Sequence, residues 1–268
     1  MKDWAVWSRV SVPAGPSLDL LHAKVVRDFA RHSHGEYAIG TCTGGLEAIS
    51  YRGGVHYSGP GSVVVLEPGE AHTGGPAEVD CFTYRVMYPA TSLVGEAHFA
   101  QPVVYDPDLA RRLADAHRML GAGGDGLEGE SQLVAVFGDL VARHASGPRA
   151  AVRARRGLAA AVMARLADGL LEPPTLAELA AEHGLSRYQL LRAFTDEVGM
   201  PPYAWLAQHR VARARTLLER GGRPAEVATE VGFADQAHLT RWFRRVLMVT
   251  PAAYRNSVQD VRRRSASS

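Results

Sequence analysis

A repeat in the last hundred residues constrains the fold of this chain more than any other feature. Glu178, Ala180, Glu182 and Gly184 recur 48 residues later as Glu226, Ala228, Glu230 and Gly232. After a shift of one residue the repeat continues at a spacing of 49, in the pairs Leu190 and Leu239, Arg192 and Arg241, Phe194 and Phe243, and Pro202 and Pro251. A repeat of this length indicates one supersecondary unit used twice.

The first copy has the pattern of two helices joined by a tight turn. Thr175 and Glu178 have the spacing of a capping box, and Ser186 and Gln189 have the same spacing before the second helix. Gly184 lies between them and suits a helix end, since glycine adopts the left-handed conformation without a Cβ clash. We predict that Leu190, Leu191 and Phe194 form the apolar stripe of the second helix.

The second copy has the same organisation. Pro224 suits the first turn of a helix, Gly232 ends it, and Asp235 can cap the next helix. We predict that the buried residues of that helix are Leu239, Phe243 and Val246. Two helices joined by a short glycine turn form the helix-turn-helix, whose second helix can enter the major groove of DNA.

Two helical hairpins could also form a small bundle with no ligand, and the charge distribution argues against that alternative. Residues 149–268 carry a net charge of +8, whereas residues 1–148 carry −6, within a chain of net charge +2. Such asymmetry between the halves of a chain indicates a nucleic-acid partner. We therefore predict that the C-terminal part binds double-stranded DNA.

Three short motifs in this region resemble the AraC/XylS family of bacterial transcription regulators. They are Gly232-Phe233, Leu239-Thr-Arg-Trp-Phe243 and Thr250-Pro251-Ala-Ala-Tyr254-Arg255. The resemblance covers about the last 100 residues, and Met248 departs from it because the family usually has glycine there. It implies a sequence-specific operator-binding regulator, not an enzyme, with an effector domain before the DNA-binding domain. RNA polymerase is a further candidate partner.

The outer faces of the two second helices carry the candidate DNA contacts. On the first, these are Arg187, Tyr188, Gln189, Leu191 and Arg192; on the second, the resemblance implies Gln236, Ala237, His238, Thr240 and Arg241. Arg192 is our candidate for reading guanine, because a guanidinium pairs bidentately with O6 and N7. Gln236 could read adenine, and Arg241 guanine or a phosphate. We expect phosphate contacts, which position the protein without reading sequence, from Ser186, Arg187, Arg244 and Arg245.

The N-terminal part has a β-rich pattern over residues 4–104. Short runs of β-branched and aromatic residues at 6–12, 20–26, 37–42, 46–51, 62–67 and 82–87 are separated by glycine and proline turns. The stretch from Gly61 to His72 resembles the second motif of a cupin barrel, and Arg31-His32-Ser-His34 resembles part of the first. The predicted fold class is thus α+β with two domains: a cupin-like β-barrel plus a helical pair, then an all-α domain.

Polar side chains in this barrel suggest a ligand site. In an extended strand His32, His34 and Glu36 would face one side, with His72 across the barrel. Imidazoles and a carboxylate can hold Zn, Fe or Ni, which gives a candidate metal site at these four residues. The alternative that we prefer requires no metal: these groups, with Tyr37 and Tyr51, line a pocket for a small organic effector, or the histidines are hydrogen-bonded in the barrel wall.

Two amphipathic helices follow the barrel, with apolar stripes that begin at Leu109 and Leu133. We predict that they pack on the barrel and also form a homodimer through residues 108–145, although the stripes could be wholly intramolecular. The predicted boundaries are 1–105 for the barrel, 106–145 for the helical pair, 146–156 for a linker, 157–258 for the DNA-binding domain and 259–268 for a disordered basic tail. A long helix near 202–220 should join the two helix-turn-helix units.

Several function classes are less consistent with the sequence. No apolar run reaches the 18 or so residues that span a bilayer, and the N-terminus lacks a signal-peptide pattern. Cys42 and Cys81 do not form a disulfide framework, so we expect a reducing cytoplasm. They also lack the pattern needed for DNA alkylation repair. A metal-dependent cupin enzyme of the dioxygenase type, fused to a DNA-binding domain, remains the main alternative, and a ligand-independent regulator is another.

Overall fold

The chain folds into two compact units, drawn mainly from residues 1–151 and 152–256. The computed structural model describes residues 2–10, 17–121, 126–148 and 157–265, without the side chains of 126–131, 148, 188 and 260–265. The predicted linker at 146–156 therefore lies mostly outside the described residues. Within the described ranges, every helix is too short or too polar to span a bilayer.

The first unit is built from two main antiparallel sheets, so the predicted β-rich N-terminal domain is confirmed. Its strands are β1 (Trp4–Val10), β2 (Leu18–Val25), β3 (Phe29–His32), β4 (Ala38–Gly44), β5 (Glu47–Tyr51), β6 (Gly54–Ser58), β7 (Ser62–Leu66), β8 (His72–Pro76), β9 (Phe82–Tyr88), β10 (Ala97–His98), β11 (Val103–Tyr105) and β12 (Gly147–Pro148). The six-stranded sheet has the order β1-β2-β9-β4-β7-β11, and the four-stranded sheet the order β3-β8-β5-β6. Strands β10 and β12 pair separately.

One face of the six-stranded sheet is covered by helices α1 (Thr91–Val94), α2 (Pro107–Gly121) and α3 (Gly126–His144). The core between them contains Leu20, Ile39, Val65 and Met87 from the sheet, with the stripes Leu109, Leu113, Ala116 and Leu120 of α2 and Leu133, Val136, Phe137 and Leu140 of α3. The predicted apolar stripes are thus buried within the chain. A second subunit is therefore not needed to bury these stripes.

Alternation along β9 defines the opposite face of this sheet. Met87 lies in the core beneath the helices, so Tyr84, Val86 and Tyr88, which share the other parity, point away from them. We call this second face the interior face. Tyr84 and Val86 on it are only half-buried although β9 is flanked by β2 and β4 on both sides.

The helix α2 is held to the sheet by a buried histidine. His117 is 4% exposed, and its Nε2 donates to the carbonyl oxygen of Leu21 at 3.0 Å. Arg85 donates to the Nδ1 of the same ring at 3.3 Å. Since Nδ1 accepts here, the ring is neutral, and burial and the charge of Arg85 lower the pKa of His117 to about 4.

The second unit is helical, as predicted. Its helices are α4 (Gly157–Asp168), α5 (Leu176–Glu182), α6 (Arg187–Val198), α7 (Pro202–Glu219), α8 (Pro224–Glu230), α9 (Gln236–Leu247) and α10 (Pro251–Ser265). The two repeat copies each consist of a 7-residue helix and a 12-residue helix, α5 with α6 and α8 with α9. The 18-residue helix α7 joins them and packs against both α6 and α9.

Three local predictions in this unit are corrected by the structure. Leu247, and not Val246, completes the buried stripe of α9, because α9 extends to the residue before Met248. Tyr203 at the start of α7 is 58% exposed and does not pack in the core between the repeats. The last helix continues to Ser265, so most of the predicted disordered tail is helical.

Candidate DNA-binding surface and ligand-binding interior

The side chain of Ser186 caps the N-terminus of helix α6. The Ser186 hydroxyl accepts from the backbone N–H of Gln189 at 3.2 Å, while Gln189 Oε1 accepts from the N–H of Ser186 at 2.9 Å. The same reciprocal pair joins Thr175 and Glu178 at the start of α5. Both predicted capping boxes are present, and the side-chain oxygen Oε1 of Gln189, a predicted DNA contact, already accepts a hydrogen bond.

The outer face of α6 is open to solvent. Arg187, Gln189 and Arg192 are exposed, and Leu191 is 36% exposed, whereas Leu190 and Phe194 are fully buried. Arg192 lies 3.7 Å from Asp196, and since both side chains are about 70% exposed this ion pair contributes little to stability. The guanidinium can therefore exchange Asp196 for a ligand. The side chain of Tyr188 lies outside the described residues.

The helix α9 presents a comparable surface. Asp235 caps it by accepting from the N–H of His238 at 2.6 Å, and the exposed residues are Gln236, Ala237, Arg241, Arg244 and Arg245. Two predicted contacts are less accessible, because Thr240 is half-buried and the His238 ring lies edge-on against Phe233 at 5.0 Å. Arg245 lies over the ring of Trp242 at 5.2 Å.

Both 12-residue helices end in the same way. Gly199 follows α6 with φ 79°, and Met248 follows α9 with φ 63°, so each helix is closed by a left-handed residue. Each cap donates its N–H to a carbonyl oxygen four residues earlier, that of Thr195 or that of Arg244. The repeat found in the sequence is therefore also a repeat of cap, helix length and termination.

Three of the four predicted metal-ligating residues form one group. A ring nitrogen from each of His32, His34 and His72 lies within 4.8 Å of the others. Glu36 does not belong to the group, because the chain leaves the strand after His32 and the parity predicted for an extended segment does not apply. His32 Nδ1 lies 2.9 Å from the carbonyl oxygen of Ala30, and His72 Nδ1 lies 3.2 Å from that of Glu70.

These contacts fix the chemistry of the histidine group. A carbonyl oxygen can only accept, so the Nδ1 of His32 and of His72 carries a hydrogen, and in the neutral ring the lone pair is then on Nε2. Burial lowers the pKa of His32 to about 4, which keeps that ring neutral at physiological pH. His34 contacts Tyr88 edge-on at a ring distance of 4.9 Å. Neutral imidazoles of this kind can accept a hydrogen bond or coordinate a metal.

The two tyrosines predicted to line the effector pocket have other contacts. Tyr37 is fully buried in the core beneath the helices, and its hydroxyl donates to the carbonyl oxygen of Ala97 at 2.6 Å, so it does not line the interior face. Tyr51 is also buried, and its hydroxyl accepts from the N–H of Glu67 at 3.2 Å. Tyr37 is withdrawn from the effector site for this reason.

Sequence reasoning missed a set of interior residues around Glu47. This carboxyl is 6% exposed, and burial raises its pKa to about 8. Its charge would raise the pKa values of Tyr84, Tyr88 and Cys42. Cys42 is the cross-strand partner of Tyr84, and its Sγ lies 3.6 Å from the carbonyl oxygen of Gly45, two residues before Glu47. The alternation of Phe82, Tyr84 and Tyr88 along β9 could have indicated this aromatic face, but an acidic residue in a strand is usually interpreted as exposed.

Comparison with known proteins agrees with this arrangement. Residues 16–137 match the model of the AraC-like ligand binding domain, and residues 179–257 match that of a helix-turn-helix domain. A transcription regulator of Bacillus subtilis, YbfI, which is described as uncharacterized, is 27% identical over 80% of this chain and 82% of its own length. The regulator MtrA of Neisseria gonorrhoeae is 34% identical over 29% of this chain and 26% of its own.

Solved structures show the same fold over nearly the whole chain. ToxT from Vibrio cholerae has a TM-score of 0.57 and covers 96% of this chain and 98% of its own, at 10% identity. A ToxT structure with a bound unsaturated fatty acid is similar, with a TM-score of 0.56, 12% identity and coverage of 96% of each chain. With both domain models matched in order and YbfI aligned across them, the chain belongs to the AraC family of DNA-binding transcription regulators, with an N-terminal ligand-binding domain.

Proposed function

We propose that the helices α6 and α9 read an operator together, and that a small molecule in the first unit controls them. The observation that carries the proposal is the matched construction of the two helices. Each begins at a side-chain cap, runs 12 residues, buries its apolar side and leaves a polar and basic side exposed. A helix of this kind can enter the major groove, and the 18 residues of α7 between them span about 27 Å.

Arg192 and Arg241 are the base-reading residues in this proposal. They are equivalent positions of the repeat and both are exposed. A guanidinium at such a position can bind O6 and N7 of guanine, and Gln236 can bind adenine. We assign phosphate contacts to four residues: Ser186, Arg187, Arg244 and Arg245. Gln189 keeps only its side-chain NH2 for DNA, because its Oε1 accepts a hydrogen bond at the start of α6.

Titration and footprinting of an operator fragment test this assignment. We expect Arg192→Ala and Arg241→Ala each to weaken binding by about 1–3 kcal/mol and to relax the preference at one base pair. Arg111→Ala, an exposed arginine on α2, is the matched control and should leave affinity unchanged. Unchanged base preference in both repeat variants would overturn the proposed roles.

Effector control rests on the first unit. Its match to a ligand-binding domain and its half-buried interior face support a bound small molecule. The ligand would act by binding one arrangement of the protein more tightly than another, which shifts the population of DNA-binding states. A cupin enzyme is less consistent with the relatives, which are regulators.

A homodimer is also proposed, through the outer surface of the helical pair. That surface has an open groove lined by Arg112, Asp115, Arg118, Met119, Gln132, Ala135 and Val136, and Val134 beside it is 59% exposed. Opposite charges within one patch allow two copies to pair about a two-fold axis. Light scattering tests this: Val134→Glu should lower the dimer fraction, and a wild-type monomer at micromolar concentration would contradict it. RNA polymerase as a partner and a cytoplasmic location stay predictions.

A further inference from the structure

Glu47 is a buried carboxyl to which the described part of the fold supplies no partner. It is 6% exposed, and it makes no hydrogen bond or ion pair with any described residue. Its position is defined by β8, since a Cβ added at Gly74 would lie 2.8 Å from its Oε1. Burying a carboxyl without a partner costs free energy, so a ligand group that forms a hydrogen bond or an ion pair with Glu47 would stabilise the protein.

The groups whose pKa values depend on Glu47 cannot supply a positive charge. They are Cys42 on β4 and Tyr84 and Tyr88 on β9, all of which become anionic when they ionise. A second carboxyl, that of Glu36, also acts on Tyr88. Burial raises the pKa of Glu47.

The histidine group borders this part of the interior, because His72 precedes Gly74 by two residues in β8 and His34 contacts the ring of Tyr88. Burial lowers the pKa of His32 in that group to about 4, so this ring is neutral at pH 7. A ligand cation would therefore find a carboxyl partner in this part of the interior.

Aromatic rings lie in this part of the interior, and that of Phe29 is next to the carboxyl, because the Cβ added at Gly74 would also lie 2.4 Å from its Cζ. Trp7 is stacked with Tyr88, and Phe82 with Tyr84, each at a ring distance of 5.3 Å. Tyr84 is only half-buried, so part of its side chain is accessible for contact. Aromatic faces attract cations and also pack against apolar groups.

We propose that the first unit binds an organic cation, a small amine whose ammonium group pairs with Glu47 and whose apolar body packs against Tyr84 and Tyr88. The inference deepens the proposed effector control and rests on it. It also distinguishes this chain from ToxT, which has been crystallised with a fatty acid, an anion at neutral pH.

The binding step has a defined proton balance. At pH 7 a carboxyl whose pKa is about 8 is mostly protonated, while an alkylammonium ligand is charged. When the ion pair forms, the O–H bond of Glu47 breaks, its proton passes to the buffer, and the carboxylate accepts from the ammonium N–H. Binding should therefore release most of a proton at pH 7, and less as the pH rises above 8.

Calorimetry of the full chain tests the proposal with four probes. Tyramine and 1,4-diaminobutane carry ammonium groups, 4-ethylphenol is a neutral analogue of tyramine, and 4-hydroxyphenylacetate is an anionic one. We expect at least one amine to bind at least tenfold more tightly than both analogues. Repeating the titration in two buffers of different ionisation enthalpy measures the released proton.

Glu47→Gln should weaken amine binding at least tenfold and abolish proton release, because the amide keeps the shape but cannot ionise. Glu96→Gln, at an exposed position, is the matched control and should change neither. Melting temperatures establish whether both variants fold. If Glu47→Gln does not fold, proton release by the wild-type protein still tests the ion pair independently.

Three results would overturn the inference. They are no binding of either amine at about 10 mM, equal or tighter binding of the neutral or anionic probe, and amine binding that is unaffected by Glu47→Gln. Operator affinity of the ligand-free protein is measured on the same preparation. DNA binding that persists while amine binding fails refutes only the ligand class, whereas loss of operator binding itself refutes the proposed function.

Discussion

The guanidinium of Arg210 fills the space beside Gly232. Its Nε and Nη2 donate to the carbonyl oxygen of Leu170 at 3.0 and 2.6 Å, and a Cβ on Gly232 would lie 2.8 Å from both Nη2 and that oxygen. The φ of Gly232 is 86°. Glycine is thus required at position 232 for two reasons. It adopts a positive φ, and it leaves space for Arg210 of α7 to bind the carbonyl oxygen of Leu170, which follows α4.

The equivalent glycine of the first repeat provides a matched comparison. Gly184 has φ 65°, but nothing lies within 4 Å of an added Cβ. We expect Gly184→Ala to lower the free energy of unfolding by about 1 kcal/mol, the conformational cost alone. Gly232→Ala should cost about 2–4 kcal/mol, because Arg210 must also move. Chemical denaturation of both variants measures the difference, and equal losses would contradict the role given to Arg210.

Replacing Met248 with glycine should stabilise the protein. It caps α9 with φ 63°, a conformation that disfavours a side chain, and it stands where the family usually has glycine. We expect Met248→Gly to raise the free energy of unfolding by about 0.5–1 kcal/mol. Gly199→Ala, at the matching cap of α6, should lower it by a similar amount. A destabilised Met248→Gly would show that the methionine side chain contributes more through packing than its backbone costs.

Stability should fall in mild acid because of His117. Burial, with the charge of Arg85, lowers the pKa of His117 to about 4 in the folded protein, against about 6.5 when unfolded. The stabilisation is complete above pH 6.5 and is lost as the pH falls towards 4, since the unfolded chain then binds the additional proton. The loss reaches about 3 kcal/mol at most. Urea unfolding between pH 4 and 7 should show a shallower decline in His117→Gln; an unchanged decline would exclude this histidine as the cause.

Salt dependence should separate phosphate contacts from base contacts. Arg244 is exposed on α9 and is assigned to the DNA backbone. We expect Arg244→Ala to weaken binding to all sequences and to reduce the slope of log affinity against log salt by about 1. The control Arg111→Ala should leave the slope unchanged. A change in base preference without a change in slope would instead make Arg244 a base-reading residue.

Operator binding should not require a metal. We expect dialysis against a chelator to leave operator affinity unchanged, because the predicted DNA contacts lie on α6 and α9, whereas His34 and His72 belong to the β-rich unit. Elemental analysis tests the histidine group separately. A stoichiometric Zn, Fe or Ni ion that is lost in both His34→Ala and His72→Ala would establish the metal site that the sequence left open.

The helix-turn-helix repeat was predictable because its signals are local. Capping pairs such as Ser186 and Gln189 act over three residues, and the glycine turns lie next to the helices that they end. Leu247 replaced Val246 in the core because one residue at a helix end depends on packing that the sequence pattern does not report. Whether Tyr188 contacts DNA stays a prediction.

The ligand-binding interior was less predictable because it depends on contacts between distant strands. Strand β8 has the sequence His-Thr-Gly-Gly-Pro, which has low β propensity and is extended here by its pairing with β5. Glu36 was placed with the histidines by strand parity, although the strand ends at His32. Glu47 was overlooked because burial of a charged residue type is decided by tertiary structure and not by its neighbours.

The alternation along β9 has a mechanical consequence. Tyr84 and Tyr88 project from one side of this backbone, while Arg85 and Met87 project from the other, where they reach His117 and the core under α2 and α3. A single layer of peptide groups therefore separates the interior face from the helical pair. An occupant that displaced this layer would therefore move groups that contact the helices themselves, Arg85 against His117 and Met87 in the core.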